Sequence, residues 1–154
     1  MEFIIFLSKI DKEIIELINR ANYSIEENSP LCLIDKKFIG FHKREEKAIV
    51  ICTQNAKFIG NFINKKKPNN NDNHKTKIYV RRALRHEATH MAQSCNEGKT
   101  TGFINNLDKR IHKNKFDALQ SSVKISGNLL KEIEAYVLED KPKIVKKAIK
   151  KYCL

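Results

Sequence analysis

No apolar run in this chain is long enough to cross a membrane. The longest near the start, Phe3-Ile4-Ile5-Phe6-Leu7, falls far short of the roughly 20 residues a spanning helix needs. No basic leader precedes it and no small-residue cleavage site follows, so neither a signal peptide nor an anchor is expected, and the reading is cytoplasmic. Cysteine is sparse as well. Cys32, Cys52, Cys95 and Cys153 lack metal-type spacing, which argues against a Cys-based zinc site and, with no sign of secretion, leaves them as reduced, mostly buried thiols. Tryptophan is absent and aromatics make up 8% of the residues. The lysines therefore lack the interleaved rings of a single-strand nucleic-acid groove. No internal repeat is evident.

What is present describes one folded domain, residues 1–154. Apolar content is 41% and charged content 31%, and the length suits a single core rather than two. The net charge of +12 usually points to an acidic partner. Here the lysines are spread throughout and accompany many Asn and Ile residues, the mix an AT-rich coding sequence produces. Nucleic-acid binding stays an alternative, not the leading reading.

Taken in order, Ile10 to Ala21 has helical apolar spacing after Asp11, and Phe3 to Leu7 either extends this helix or forms a strand. Asn28-Ser29-Pro30 is a break. Leu31 to Ile34 reads as a short buried strand. Lys37 to Lys43 and Ala48 to Thr53 read as hairpin arms around the polar turn Arg44 to Lys47. Phe58, Ile59, Phe62 and Ile63 form a further strand or a turn of helix. The Asn-rich Lys65 to Lys77 reads as a loop, with a lid as a secondary idea. Helices are expected over Tyr79 to Cys95, Phe116 to Val123, Leu129 to Asp140 and Lys143 to Tyr152. Gly98 suits a left-handed cap after the first of these. Leu129, Leu130, Ile133, Tyr136 and Val137 are expected on the buried side of the third. The fold class is α+β, mostly helical, with a small antiparallel sheet before the helix that carries the motif.

That motif is His86-Glu87-Ala88-Thr89-His90. Residues four apart on a helix lie about 40° apart around its axis, so both imidazoles can reach one cation. Glu87, about 100° round from His86, can face a water on that cation without ligating it. Val80, Leu84, Ala88, Met91 and Cys95 form the core-facing stripe, and Tyr79, Ala83, His86, His90 and Gln93 a second one well away from it. Arg81, Arg82 and Arg85 are expected on the solvent side. The competing reading, a pair of packed histidines with no metal, does not explain why both flank a glutamate at the edge of the buried face.

Two histidines hold zinc poorly, and a catalytic site wants three protein ligands with one open position. A third histidine six residues past His90 is absent, since Asn96 stands there, and His112 lies in an irregular stretch. The better source is Glu132-Ile133-Glu134-Ala135-Tyr136. With these residues the chain resembles the small gluzincin-type zinc metallopeptidases, including intracellular and phage-associated ones, whose third ligand is a Glu on a later helix. The resemblance implies a zincin-like fold and Zn2+ held by His86, His90 and one of Glu132 and Glu134. Ala135, the small residue three past the ligand, favours Glu132, whereas the helical wheel puts Glu134 nearer the apolar side. Tyr136 departs from the family pattern, where Asp or Asn is frequent, and leaves open what orients the first histidine.

The function expected is a zinc-dependent metallopeptidase acting on a protein or peptide, in which Glu87 assists attack of a zinc-bound water and passes the proton to the departing amine. Tyr79, Tyr136 and His112 are the candidate oxyanion donors. The alternatives are a non-catalytic zinc-binding module and a basic nucleic-acid-binding protein. No membrane partner is expected.

Overall fold

The computed structural model describes residues 1–60 and 69–154. Phe62, Ile63 and the Lys65–Pro68 part of the expected loop lie outside the described residues. Among the described residues six helices, α1 (Lys9–Arg20), α2 (Thr53–Ile59), α3 (Asn70–Cys95), α4 (Phe116–Ser126), α5 (Leu129–Leu138) and α6 (Pro142–Tyr152), accompany three short strands, β1 (Ser24–Glu27), β2 (Gly40–Lys43) and β3 (Ala48–Ile51).

The helix bearing the motif is the centre of the molecule. α3 packs against α1, α2, α5, α6, β2 and β3, and its stripe of Val80, Leu84, Ala88 and Met91 is fully buried. It also starts earlier than the sequence suggests. Asn69 accepts from the backbone N–H of Asp72 at 2.9 Å while Asp72 accepts from that of Asn69 at 3.1 Å. This reciprocal cap nucleates a helix inside an Asn-rich run read as loop. Residues 70–77 are therefore the first two turns of α3, with Thr76 fully buried.

The arginines of α3 are not a solvent face either. Arg85 donates to Asp11 at 2.7 and 3.2 Å, Arg81 to the Phe6 carbonyl at 2.8 Å, and Arg82 to Asp140 at 2.8 Å. Asp11 is itself fully buried and accepts from the Ser8 N–H that opens α1. The charge is satisfied on both sides, as a buried carboxylate requires.

The sheet is mixed, not antiparallel. β2 and β3 form the expected hairpin, with His42 opposite Ile49, but β1 pairs with the far side of β3 in parallel, giving the order β1-β3-β2. β1 itself was not foreseen. Its sequence, Ser-Ile-Glu-Glu, has too little apolar character to signal a strand, and backbone pairing with the buried Ala48–Ile51 strand decides it. Among the described residues β2 is thereby an edge strand, lying over α3.

Other expectations are also corrected. Phe3 to Leu7 and Leu31 to Ile34 are neither helix extension nor strand. Each carries a short 3-10 turn, Glu2–Phe6 and Pro30–Leu33. In the second, Ser29 caps the Leu31 N–H and Pro30 supplies a ready-made helical φ. Cys32 turns inward while Leu33 and Ile34 face solvent. Phe58 and Ile59 belong to helix α2. On α5, Leu129 and Leu130 are exposed and the buried residues are Glu132, Ile133, Glu134, Ala135, Val137 and Leu138.

The cysteines are not free thiols. Cys32 bonds to Cys52 and Cys95 to Cys153, with Cα–Cα distances of 5.5 and 5.3 Å, both within the normal range for a disulfide. The first ties the 3-10 turn to the end of β3, and the second ties the end of α3 to the residue after α6. Spacing along the chain carries no trace of either pairing. Among the described residues no helix is long and apolar enough to cross a membrane.

Candidate metal centre

Three side chains converge at the crossing of α3 and α5: His86 and His90, one turn apart, and Glu132. The Nε2 atoms of the two histidines are 3.2 Å apart. One carboxylate oxygen of Glu132 faces each ring, Oε2 at 3.3 Å from His86 and Oε1 at 3.3 Å from His90. Ala135, fully buried, is the small side chain at this crossing.

Each imidazole is held from behind. His86 Nδ1 lies 3.2 Å from Glu139 Oε2, and His90 Nδ1 lies 2.8 Å from Gln93 Oε1. Both partners are acceptors, so both Nδ1 atoms carry the proton and both Nε2 lone pairs point into the cluster. The partners are anchored in turn. Glu139 pairs with Lys115 at 2.7 Å. Gln93 donates through its amide to Glu134 Oε1 at 2.9 Å and to the Lys131 carbonyl at 3.0 Å.

These contacts separate the two glutamates that sequence reasoning left open. Glu134 is fully buried but faces away from the histidine nitrogens. It accepts from the Thr101 N–H at 2.8 and 3.0 Å, from the Thr101 hydroxyl at 3.1 Å and from Gln93. Its work is to pin the loop after α3 and to steady Gln93. Glu132 alone of the pair joins the histidines.

The donor set fits a zinc ion. Ligands about 2.1 Å from a tetrahedral cation stand about 3.4 Å from one another, close to the spacings observed. Among the described residues the buried Glu132 Oε2 completes no hydrogen bond, although His86 Nε2 lies 3.3 Å away. Two lone pairs and a carboxylate facing one point are costly unless something positive sits among them. In the protein alone a proton serves: although burial would lower it, His86 is pushed up to about 10 by Glu132 and Glu139. Glu132, despite its burial, is held well below the usual carboxylate range by the two imidazoles.

Glu87 sits beside the cluster as a buried carboxylate. Burial raises its pKa, while the two histidines oppose the rise. It is close to β2: a Cβ at Gly40 would come 2.9 Å from its Cγ and 3.1 Å from its Oε1, so only glycine lets the edge strand and the glutamate share that space. A cavity of about 280 Å³ opens here, bounded by Phe38, Gly40, His42, His86, Glu87 and His90 among others. A second hollow, about 390 Å³, adjoins His86 and Glu87 on the side of Tyr79 and Tyr136.

Of the three candidate donors to an oxyanion, Tyr136 is nearest. Its ring meets that of His86 edge-on at 4.4 Å, its hydroxyl bonds to Ser122 at 2.7 Å, and burial raises its pKa. Tyr79 borders the same hollow. His112 is exposed and lies outside both cavities. Sequence reading missed Glu139, Gly40 and His42. Glu139 alone had a signal: it lies seven residues past Glu132, two helical turns on and on the same face.

A family model described as a domain of unknown function (DUF8637) matches residues 3–154. No curated protein and no solved structure matches the chain.

Proposed function

We propose that this chain, which belongs to the DUF8637 family over nearly its whole length, is a zinc-dependent metallopeptidase with a zincin-like arrangement of motif helix, ligand helix and edge strand. The observation that carries the reading is the convergence of His86, His90 and Glu132 with a buried, non-ligating Glu87 beside them. A purely structural site has no use for that fourth group.

His86, His90 and Glu132 would hold the ion, and Glu139 and Gln93 keep the two rings in the tautomer and orientation that holding requires. When bound, zinc supplies a Lewis acid that acidifies water and polarises a carbonyl. Glu87 takes the proton of the attacking water and delivers it to the departing amine. Its raised pKa suits both directions of transfer. The Tyr136 hydroxyl, once it leaves Ser122, is the nearest donor to the oxyanion that develops on the carbonyl. The edge position of β2 leaves backbone groups of Gly40–Lys43 available to an extended peptide.

Disulfides persist where thiols are not kept reduced. The pairs Cys32–Cys52 and Cys95–Cys153 therefore support work in an oxidising compartment over the cytoplasmic setting read from sequence.

The test is metal analysis of the purified chain together with the Glu87→Gln variant. The reading expects about one zinc per chain in both proteins and cleavage of a casein-type substrate by the parent alone. Zinc absent from the parent, or undiminished cleavage by the variant, would overturn it.

A further inference from the structure

Around the catalytic groups nearly every cation is already matched. Arg82 pairs with Asp140 at 2.8 Å, Lys115 with Glu139 at 2.7 Å, Arg85 with Asp11 at 2.7 Å, and Lys43 with Glu26 and Glu46 at 3.1 and 2.7 Å. Two further cations border the 280 Å³ cavity. Arg44 and Lys131 make no side-chain ion pair among the described residues. Between β2 and the motif helix lies His42, stacked on Tyr23, whose Nε2 is buried without a hydrogen-bond partner.

The alternation of β2 explains how these groups come together. Phe41 packs on the cluster of Cys32, Val50 and Cys52, so Gly40 and His42 share the opposite face, and Arg44, in the turn after β2, borders the same cavity. Gly40 meets Glu87, and the Arg44 cation follows farther along the chain. At about 3.3 Å per residue it stands at most roughly 13 Å from Gly40, the reach of about four residues of an extended peptide. Lys131 closes the cavity from the ligand helix α5, one residue before Glu132. The acidic residues bordering this cavity are Glu87 and Glu132, and both are occupied at the histidine end.

We propose that the end of this cavity farthest from Gly40 is a subsite for a substrate carboxylate, bound by Arg44 and Lys131. Resting on the peptidase reading for the position of the cleaved bond, it assigns the enzyme to substrates with an anionic group within about four residues. That carboxylate is either an Asp or Glu side chain or the free C-terminus, and both would satisfy the same two cations. A charge-assisted bond to a guanidinium or ammonium group in a half-enclosed cavity separates acid from amide by about tenfold or more.

Binding is read by fluorescence anisotropy on the zinc-loaded Glu87→Gln protein, so the outcome does not depend on turnover. Three peptides carry a neutral N-terminal dye and are otherwise alike: one amidated with a single Glu, one with neutral side chains and a free C-terminus, and one amidated with Gln in place of Glu. One acidic peptide is expected to bind at least tenfold tighter than the Gln amide, and which of them does so identifies the source. The double variant Arg44→Gln, Lys131→Gln should abolish that preference while leaving the Gln amide within twofold. Arg44→Glu with Lys131→Glu should turn the preference toward a Lys-bearing peptide. Arg44 is exposed and Lys131 half-buried, so the folds survive these changes, and matched thermal melts establish that they do. Equal binding of the three peptides, no binding of any, or equal weakening of all three in the variants overturns the subsite. If the peptidase reading alone fails, wild-type protein shows no cleavage while the acid-over-amide preference persists.

Discussion

Glu139 stands 3.2 Å behind His86, two turns beyond Glu132 on one helix. A single face of the α5 segment thus supplies both a candidate ligand and the group that orients another ligand. Removing such a partner typically costs 10- to 100-fold in metal affinity. For Glu139→Gln we expect zinc affinity to fall by roughly that factor, measured by competition with a chromophoric chelator, with circular dichroism unchanged. An affinity equal to the parent's would remove Glu139 from the site.

The two neighbouring glutamates should separate cleanly. Glu132→Gln is expected to lose stoichiometric zinc in elemental analysis. Glu134→Gln should keep zinc yet unfold more easily by about 1–3 kcal/mol, because the Thr101 N–H and hydroxyl then face an amide in a buried place. Chemical denaturation of both variants in the metal-free state reads the second half of the statement.

Gly40→Ala tests the contact between the edge strand and the proposed general base, Glu87. The added methyl meets Glu87 at 2.9 Å, and a shift of the glutamate by about 1 Å costs on the order of 100-fold in rate. Zinc content should be unaltered, so kcat falls without loss of metal. Full activity would mean that Glu87 moves freely, against its buried setting.

Reduction should destabilise the fold in two steps of unequal size. The 58-residue separation of Cys95–Cys153 and the 20-residue separation of Cys32–Cys52 correspond to about 4 and 3 kcal/mol of chain entropy. Denaturation with and without reductant, on the Cys95→Ala Cys153→Ala and Cys32→Ala Cys52→Ala proteins, assigns each. Identical midpoints in all conditions would mean that the pairs do not form.

Acid sensitivity should trace in part to His42. Burial foremost, then the like charges of His90, Arg44 and Lys131, pushes it down to about 4. An unfolded chain takes up this proton near the ordinary value of about 6.5, the folded one only near 4. Between those values the unfolded state binds more protons, so this contribution to stability is whole above pH 6.5 and lost as pH falls toward 4. His42→Phe keeps the stack on Tyr23 and should shrink the loss between pH 7 and 4.5 in urea titrations by about 2 kcal/mol at most.

Local pattern settled a good deal of this protein. The apolar stripe of α3, the hairpin of β2 and β3, the amphipathic α1 and α6, and the His-Glu-x-x-His face are all short-range features, and periods of 3.6 and 2 report them directly. Even the start of α3 was written in the sequence, as the Asn69–Asp72 cap, though low complexity hid it.

Only the tertiary structure set Glu132 rather than Glu134 against the two histidines, paired the cysteines, put β1 in parallel beside β3, and turned Arg85 inward to Asp11. Each of these joins residues between 20 and 74 positions apart. Which partner such a group finds depends on how helices and strands dock, and docking is fixed by the summed burial of many side chains rather than by the spacing of a few.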